Sequence, residues 1–130
     1  MFKPLVRVCM AAALCAVALG TMPVIAQTVP TPAGMVTVVV EVSLTSGSSP
    51  AEALAALSDI RAMMKRQPGY LSEEFLQNLN ASNTPQYIHV SRWASMTYWA
   101  ALFRTAPFGQ LTAHGNQHYM TSVSAFLPYE

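Results

Sequence analysis

The sequence predicts an α+β domain in which a four-stranded antiparallel sheet carries two helices on one face. Three stretches predict it: strand-like alternation over 35–44, a helical repeat of apolar residues over 50–66, and a strand followed directly by a helix over 87–111. A period of two indicates a strand, and a repeat every three or four residues indicates a helix. Read along 35–127, the order is strand, helix, strand, strand, helix, strand, which is that of two split βαβ units.

The first 26 residues have the pattern of an export signal rather than of a folded domain. Lys3 and Arg7 give a basic start, an apolar run follows at 8–19, and Ala26 closes the small-residue pattern of a cleavage site. The apolar run is shorter than the about 20 residues that a membrane-spanning helix needs. We therefore expect cleavage after Ala26, with a retained membrane anchor as the alternative.

Two segments follow the predicted cleavage site. Residues 27–34 contain two prolines and a glycine and are expected to form a flexible tether. Residues 35–130 remain for one folded domain, which is long enough to bury a hydrophobic core. This organisation predicts a periplasmic or secreted protein without stable membrane insertion after signal cleavage.

Export changes the charge and the cysteine content of the chain. The full sequence has seven basic and six acidic residues, and removal of Lys3 and Arg7 leaves five basic ones, a net charge of −1. Such a charge favours neither nucleic acid nor an anionic membrane surface as a partner. Cys9 and Cys15 both lie in the signal, which excludes a disulfide, a thiol nucleophile and a cysteine metal site from the mature domain.

The first strand and the first helix have the clearest patterns. Over 35–44, the valines at even positions fall on one face of a strand, and the opposite face is also half apolar. Ser49 suits the N-cap of the helix at 50–66, which begins with a proline, and Glu52 completes a capping box. The helix ends before Pro68 and the glycine that follows it.

The second half of the domain supplies three more strands and a helix. Strands are predicted over 70–78, 87–93 and 118–127, where residues alternate between turn-forming stretches. A helix is predicted over 96–104, with a short helical piece at 107–112 after a proline. This is the ferredoxin-like arrangement. Its helix-free sheet face is substantially apolar, so we expect a homodimer that packs sheet against sheet.

With these elements placed, the sequence resembles the antibiotic biosynthesis monooxygenase family, which has the dimeric α+β barrel fold. The resemblance covers nearly all of 35–130. It rests on the β-branched first strand at 36–42, on Pro-Gly-Tyr at 68–70, on Arg-Trp at 92–93 with Ser95 as the following N-cap, and on the aromatic helix and its continuation at 99–111.

The resemblance implies a pocket between the sheet and the helices of each subunit. The family includes cofactor-free oxygenases of quinols and polycyclic phenols, heme-degrading enzymes, and members without an assigned reaction. These oxygenases can work without a metal or other cofactor, because an electron-rich phenolate can itself pass an electron to dioxygen. The protein then has to bind the ring, favour its deprotonation and stabilise negative charge on oxygen.

Some positions depart from the family pattern. Arg92 stands where many relatives have a glutamate just before the tryptophan of the third strand. Heme-degrading members have an asparagine on the first strand, a tryptophan within the second helix and a histidine after it. The first strand here has no asparagine, and alignment on Trp93 puts Leu102 and Thr112 at the other two positions. Heme degradation is therefore disfavoured.

Five residues are candidates for the site, and most also have a structural interpretation. Trp93 suits stacking on a planar substrate, or else the filling of the junction between strand and helix. His89 shares strand parity with Trp93 and is a candidate general base, or else a hydrogen-bonded residue of the dimer interface. Trp99 is a candidate for the pocket wall or for the core. Arg104 and Asn78 are candidates for stabilising charge on oxygen, although Arg104 equally suits a helix C-terminus and position alone supports Asn78.

Two other polar groups are given structural interpretations. His114 and His118 are four residues apart, which on a helix would suggest metal ligands. Gly115 and the surrounding turn residues argue against a helix there, and no third ligand is evident, so no metal site is predicted. Arg92 lies on the opposite strand face from the neighbouring tryptophan and is expected to pair with Glu73 or its neighbour Glu74 across strands.

Two functions from different classes fit these residues. The first is an exported, homodimeric, cofactor-independent oxygenase that acts on a small aromatic molecule such as a quinol, with His89 as the base. The second is a non-catalytic ligand-binding or stress-response module that holds a hydrophobic ligand in the same pocket.

Overall fold

The structure is a computed structural model that describes residues 34–129. The signal peptide and its cleavage site, expected at 1–26, and all of the predicted tether except Gly34 lie outside the described residues. The elements along the described chain are β1 (Val36–Leu44), α1 (Pro50–Met64), β2 (Tyr70–Gln77), β3 (Tyr87–Trp93), α2 (Met96–Leu102), α3 (Ala106–Gly115) and β4 (Tyr119–Phe126).

The four strands form one sheet in the order β2-β3-β1-β4, and every neighbouring pair is antiparallel. Val40 marks the centre of the sheet, because it lies opposite His89 on β3 and opposite Val123 on β4. On β2, Phe75 lies opposite His89. The predicted ferredoxin-like fold, with its helices on one face of the sheet, is therefore confirmed.

Helix α1 begins where the sequence predicts, but its cap differs from the prediction. Ser49 occupies the N-cap position with an extended backbone, and Pro50 follows in the first turn. The side chain of Ser49 makes no capping hydrogen bond, so the predicted capping box with Glu52 is wrong. Gly69, which has φ +79°, ends the connection to β2, and a Cβ there would collide with the ring of Tyr98 on α2.

The region after β3 holds two helices rather than a helix and a short piece. Ser95 caps α2, and its side chain accepts a hydrogen bond from the Tyr98 amide at 3.4 Å. Pro107 lies in the first turn of α3, which continues to Gly115. The prediction that this helical piece ends at Thr112 was wrong. The Thr112 hydroxyl donates to the Phe108 carbonyl at 2.9 Å, a bond that is compatible with an unbroken helix.

The hydrophobic core lies between the helices and the even-numbered face of β1, as the valine alternation predicts. Val36, Val38 and Val42 are fully buried. Two clusters make up the core: Val36, Val38, Met63, Met64, Trp93 and Leu102 form one, and Val42, Ala53, Ala56, Leu57, Tyr87 and Tyr119 form the other. Burial of one large apolar side chain contributes about 1.5–3 kcal/mol, so these clusters are the main source of stability.

The helix-free face of the sheet keeps apolar side chains in contact with solvent. Leu76 on β2 and Met120 and Phe126 on β4 lie on this face and are 48%, 64% and 54% exposed. None of the helices in residues 34–129 is both long enough and apolar enough to cross a membrane.

Candidate functional site

A cavity of about 290 Å³ lies between the sheet and the helices. Most of its lining is apolar. Strands β1 and β4 form its floor with Val40, Val42 and Val123, and Ile60 and Met64 of α1 form part of its roof. Ligand sites are usually apolar clefts with a few placed polar groups. The polar residues that line this cavity are Arg61, His89, Thr112, Asn116, Tyr119 and Thr121.

One wall of the cavity is aromatic. Trp99 and Phe103 meet edge to face, with ring centroids 4.8 Å apart and planes at 82°. Phe103 and Phe108 meet in the same way, at 5.1 Å and 85°. Edge-to-face contacts of this kind fix the rings relative to one another, so the wall offers a stable apolar surface to a flat ligand.

A histidine–glutamate pair stands at the β3 side of the cavity. His89 Nε2 lies 2.8 Å from Glu73 Oε2, and His89 is only 4% exposed. The carboxylate can only accept a hydrogen bond, so Nε2 carries the proton and donates it. In the neutral ring the second nitrogen, Nδ1, then holds a lone pair. That nitrogen makes no hydrogen bond with any side chain or backbone group within 34–129, and it is therefore free to accept a proton.

The charges around Glu73 keep it ionised. Burial acts to raise the pKa of Glu73, but hydrogen bonds from Arg61, Lys65 and His89 outweigh burial and lower that pKa to about 2. Burial also lowers the pKa of His89 below its ordinary value, and the neighbouring carboxylate opposes this shift only in part. At neutral pH the pair is therefore a carboxylate and a neutral imidazole, the state in which the histidine can act as a base.

Arg61 supplies a fixed positive charge at the cavity wall. Its Nη2 donates to Glu73 Oε1 at 2.6 Å and its Nε to Oε2 at 3.2 Å, a bidentate pair. The guanidinium also lies 4.4 Å from the centroid of the Phe75 ring, a favourable cation–π contact. Lys65 Nζ contacts the same carboxylate at 2.6 Å. These contacts hold the guanidinium of Arg61 beside His89.

A comparison with protein-family models identifies the family of this chain. The family model described as antibiotic biosynthesis monooxygenase matches residues 35–113. This chain belongs to the antibiotic biosynthesis monooxygenase family. The match spans every element from β1 to most of α3, and it confirms the resemblance that the sequence motifs indicate. A comparison with curated proteins gives no match.

Solved structures show the same fold in proteins of different chemistry. SnoaB, a cofactor-independent oxygenase from Streptomyces nogalater, is 18% identical, with 75% of this chain and 96% of that chain covered and a TM-score of 0.67. A hydroxynitrile lyase from Passiflora edulis is 13% identical, with 76% and 97% covered and a TM-score of 0.66. A dimeric protein of unknown function from Bacteroides fragilis NCTC 9343 is 13% identical, with 72% and 95% covered and a TM-score of 0.57. At these identities the likeness concerns the fold alone.

Two of the five candidate site residues reach the cavity. His89 and Trp99 both line it. Trp93 does not, although it shares the buried face of β3 with His89. It is fully buried, donates from Nε1 to Ser91 Oγ at 3.0 Å, and meets Tyr70 edge to face at 5.3 Å. The interpretation of Trp93 as core packing is the one that the contacts support, because α2 closes over the end of β3.

The remaining two predicted residues lie elsewhere. Arg104 is exposed beyond the end of α2 and does not line the cavity. Asn78 uses its amide in the loop after β2, where Nδ2 donates to the Pro85 carbonyl at 3.1 Å and Oδ1 accepts from the Asn80 amide at 3.0 Å. Placing Arg104 and Asn78 in the pocket is a prediction that this geometry does not support.

The other polar expectations have mixed outcomes. Arg92 pairs with Glu74 across strands at 3.1 Å, as predicted. His114 lies on α3, contrary to the prediction of a turn, and its ring centroid is 5.2 Å from that of His118. Residues 34–129 contain no group of three or more histidine, cysteine, aspartate or glutamate side chains arranged to hold a metal ion.

Sequence reasoning missed three residues of the site: Glu73, Arg61 and Tyr119. For Glu73 and Arg61, the sequence does contain a pattern that could have indicated the pairing. Arg61 and Lys65 are four residues apart and share one side of α1, and Glu73 alternates with Phe75 on the same face of β2. An acidic residue on a half-buried strand face requires a cationic partner, and α1 is the element that covers this face.

Proposed function

We propose that this chain is an exported, cofactor-independent oxygenase that acts on a small aromatic molecule such as a quinol. The observation that carries the proposal is the 2.8 Å contact between His89 and Glu73 at the wall of an apolar cavity. A histidine that a carboxylate orients through one ring nitrogen can act as a general base through the other. Here Glu73 holds Nε2, which leaves Nδ1 for the proton. Membership of the monooxygenase family supports the reaction class.

The first step is a proton transfer. His89 Nδ1 takes the proton of a phenolic hydroxyl, and Glu73 stabilises the imidazolium that forms. The phenolate then passes one electron to dioxygen, which gives superoxide and an aromatic radical. Combination of the two forms a carbon–oxygen bond and leaves a peroxide anion, to which the His89 imidazolium returns its proton. The resulting hydroperoxide loses water to leave a carbonyl group. No step requires a bound metal or an organic cofactor.

Arg61 takes the part that the sequence suggested for Arg104. Arg61 lines the cavity, and its guanidinium binds the same Glu73 carboxylate as His89, so this positive charge is close enough to attract a phenolate or superoxide held beside His89. Charge stabilisation inside a cavity of low polarity is worth more than in water. The rings of Trp99, Phe103 and Phe108 provide the apolar surface for the substrate.

Export and self-association complete the proposal. The basic start and apolar run of residues 1–26 support export to the periplasm or the medium. The exposed apolar side chains on the helix-free sheet face support a homodimer, because a second copy would remove them from water. N-terminal sequencing of the protein recovered from fractionated cells would test the cleavage after Ala26.

The decisive experiment measures oxygen consumption and tryptophan fluorescence together, with a panel of quinols and naphthols. His89→Gln is the informative variant, because the amide can still donate to Glu73 but cannot act as a base. We expect wild-type protein to show both quenching and oxygen uptake, and the variant to show quenching alone. Quenching without uptake in the wild type would favour the alternative, a non-catalytic ligand-binding module.

A further inference from the structure

Two histidines near the end of α3 take no part in the cavity. His114 and His118 do not line it, and the sequence predicts no metal site here because Gly115 and its neighbours suggest a turn. The structure overturns that reason. His114 lies on α3, and the chain continues to coil, since the amides of Asn116, Gln117 and His118 donate to carbonyls three or four residues back. The two histidines are therefore one helical turn apart.

The two rings stand at the separation that a shared metal ion requires. The ring centroids of His114 and His118 are 5.2 Å apart. An imidazole nitrogen binds Zn²⁺ at about 2.0–2.1 Å, so the ring centroid lies about 3.2 Å from the metal. For nitrogen–metal–nitrogen angles between about 90° and 109°, two such centroids are about 4.5–5.2 Å apart. His114 is exposed, so its ring can turn toward a common ion.

His118 is anchored through its backbone and faces a carboxylate. Its carbonyl accepts hydrogen bonds from the amide and the hydroxyl of Thr45, at 3.1 and 3.0 Å. Its side chain is 17% exposed, and Nδ1 lies 3.9 Å from Oε2 of Glu52 on α1. A histidine that binds a metal usually presents its other ring nitrogen to a carboxylate. The contact with Glu52 therefore leaves Nε2 of His118 for the metal.

We propose that His114 and His118 chelate one divalent ion such as Zn²⁺ or Cu²⁺, with Glu52 orienting His118 and water completing the coordination. Imidazole suits Zn²⁺, Cu²⁺ and Ni²⁺, whereas Mg²⁺ and Ca²⁺ prefer oxygen ligands. Residues 34–129 bring no third histidine, cysteine, aspartate or glutamate into position as a ligand, so the ion is exchangeable. The site goes beyond the proposed oxygenase, because it lies outside the cavity.

Isothermal titration calorimetry with Zn²⁺ tests the chelate. The protein carries no added histidine tag, and Cys9→Ser and Cys15→Ser remove any thiol that could compete for the ion. We expect one Zn²⁺ per chain, released by EDTA, and no comparable binding of Mg²⁺. His114→Gln and His118→Gln should each weaken Zn²⁺ binding about tenfold or more, because a single imidazole loses the advantage of two linked ligands.

The third histidine and the second carboxylate of α1 provide matched controls. His89→Gln should leave Zn²⁺ binding unchanged, because this buried ring is held by Glu73. Glu52→Gln should weaken binding about tenfold, the effect of losing the carboxylate that orients a ligand. Asp59→Asn removes the same charge about two turns further along α1 and should leave binding unchanged.

A measurement on the unsubstituted histidines decides even if a variant fails to fold. One equivalent of Zn²⁺ should shift the imidazole NMR signals of His114 and His118 together and leave those of His89 in place. Zn²⁺ should also raise the melting temperature, because the ion binds the folded chain. A shift of only one of the two signals, or Zn²⁺ binding that either histidine substitution leaves unchanged, would overturn the chelate.

Discussion

Glu73 Oε2 lies 2.8 Å from His89 Nε2, although the two residues are not directly opposite each other in the sheet. Glu73 on β2 aligns with Ser91, and His89 aligns with Phe75, so the contact is diagonal across two strands. Arg61 and Lys65 approach the same carboxylate from α1. One partly buried carboxylate therefore links the helix, two strands and the cavity wall.

Glu73→Gln should impair both stability and turnover. The amide cannot neutralise Arg61 and Lys65, and loss of charged hydrogen bonds of this kind costs about 1.5–3 kcal/mol. Turnover should fall about 100-fold or more, because His89 loses the group that orients it as a base. Urea denaturation and oxygen uptake measure the two effects. Glu74→Gln is the matched control: its pair with Arg92 is solvent-exposed, so stability should change by less than about 1 kcal/mol.

Acid should destabilise the protein in two stages. The pKa of His89 is lowered in the folded state, so the unfolded chain binds more protons and stability declines as pH falls below about 6.5. Glu73 has a folded pKa of about 2 against an ordinary 4.5, so its contribution is complete above pH 4.5 and is lost toward pH 2.

Urea midpoints between pH 4 and pH 8 would test the first stage. His89→Gln should flatten the decline below pH 6.5, whereas the exposed His114→Gln should keep it. If His89 is the base, kcat/KM should stay constant at neutral pH, where the imidazole is unprotonated. It should halve only below pH 6.5, because the pKa of His89 is lowered. An activity that rises steeply between pH 7 and pH 9 would contradict a neutral His89 as the base.

The two tryptophans should behave differently on substitution. Trp99 lines the cavity, so Trp99→Phe should remove most ligand-dependent quenching at little cost in stability. Trp93 is fully buried and donates to Ser91 Oγ, so Trp93→Phe should lower the free energy of unfolding by about 2 kcal/mol and retain the quenching. Fluorescence titration and thermal unfolding of both variants check this. Quenching that survives in Trp99→Phe and is lost in Trp93→Phe would place the ligand elsewhere.

Two glycines of α3 offer another matched pair. Gly115→Ala would push a methyl group against the Tyr119 hydroxyl and should destabilise the fold by about 1–3 kcal/mol. Gly109→Ala meets no atom within 4 Å and should stabilise the helix by about 0.5–1 kcal/mol. Thermal unfolding measures both. Equal stability of the two variants would show that Tyr119 moves aside freely.

The proposed dimer contact through the helix-free sheet face can be tested by introducing one charged residue there. Phe126 lies on this face and is 54% exposed. If two copies pair there, Phe126→Asp should shift the molecule from dimer to monomer in sedimentation experiments. Leu79→Asp is the control, because Leu79 is fully exposed in the loop after β2. A wild-type mass equal to that of one chain would rule out the proposed dimer.

Local sequence patterns predicted most of the fold. Alternating valines placed β1 with its even face inward, Pro50 marked the start of α1, and Ser95 marked that of α2. These signals act through the backbone and its nearest neighbours, so they can be read without tertiary contacts. The extension of α3 to Gly115 escaped detection because glycine and histidine near a helix end resemble a turn.

The site was only partly predictable for a related reason. Strand parity placed His89 and Trp93 on the same buried face, and this was correct. Parity alone could not decide which of the two reaches the cavity, since that depends on where α2 and α3 lie over the sheet. Trp99 enters the wall from α2, whereas Trp93 is covered.

The sequence by itself determined the family, the order of the elements and the buried face of each central strand. Only the tertiary structure decided that Glu73 holds His89, that Arg61 rather than Arg104 reaches the cavity, and that the Tyr119 hydroxyl has no hydrogen-bond partner among residues 34–129. The physical reason is that these relationships join residues from different elements. Their distances follow from the pairing register of the strands and the packing of the helices, which no local pattern encodes.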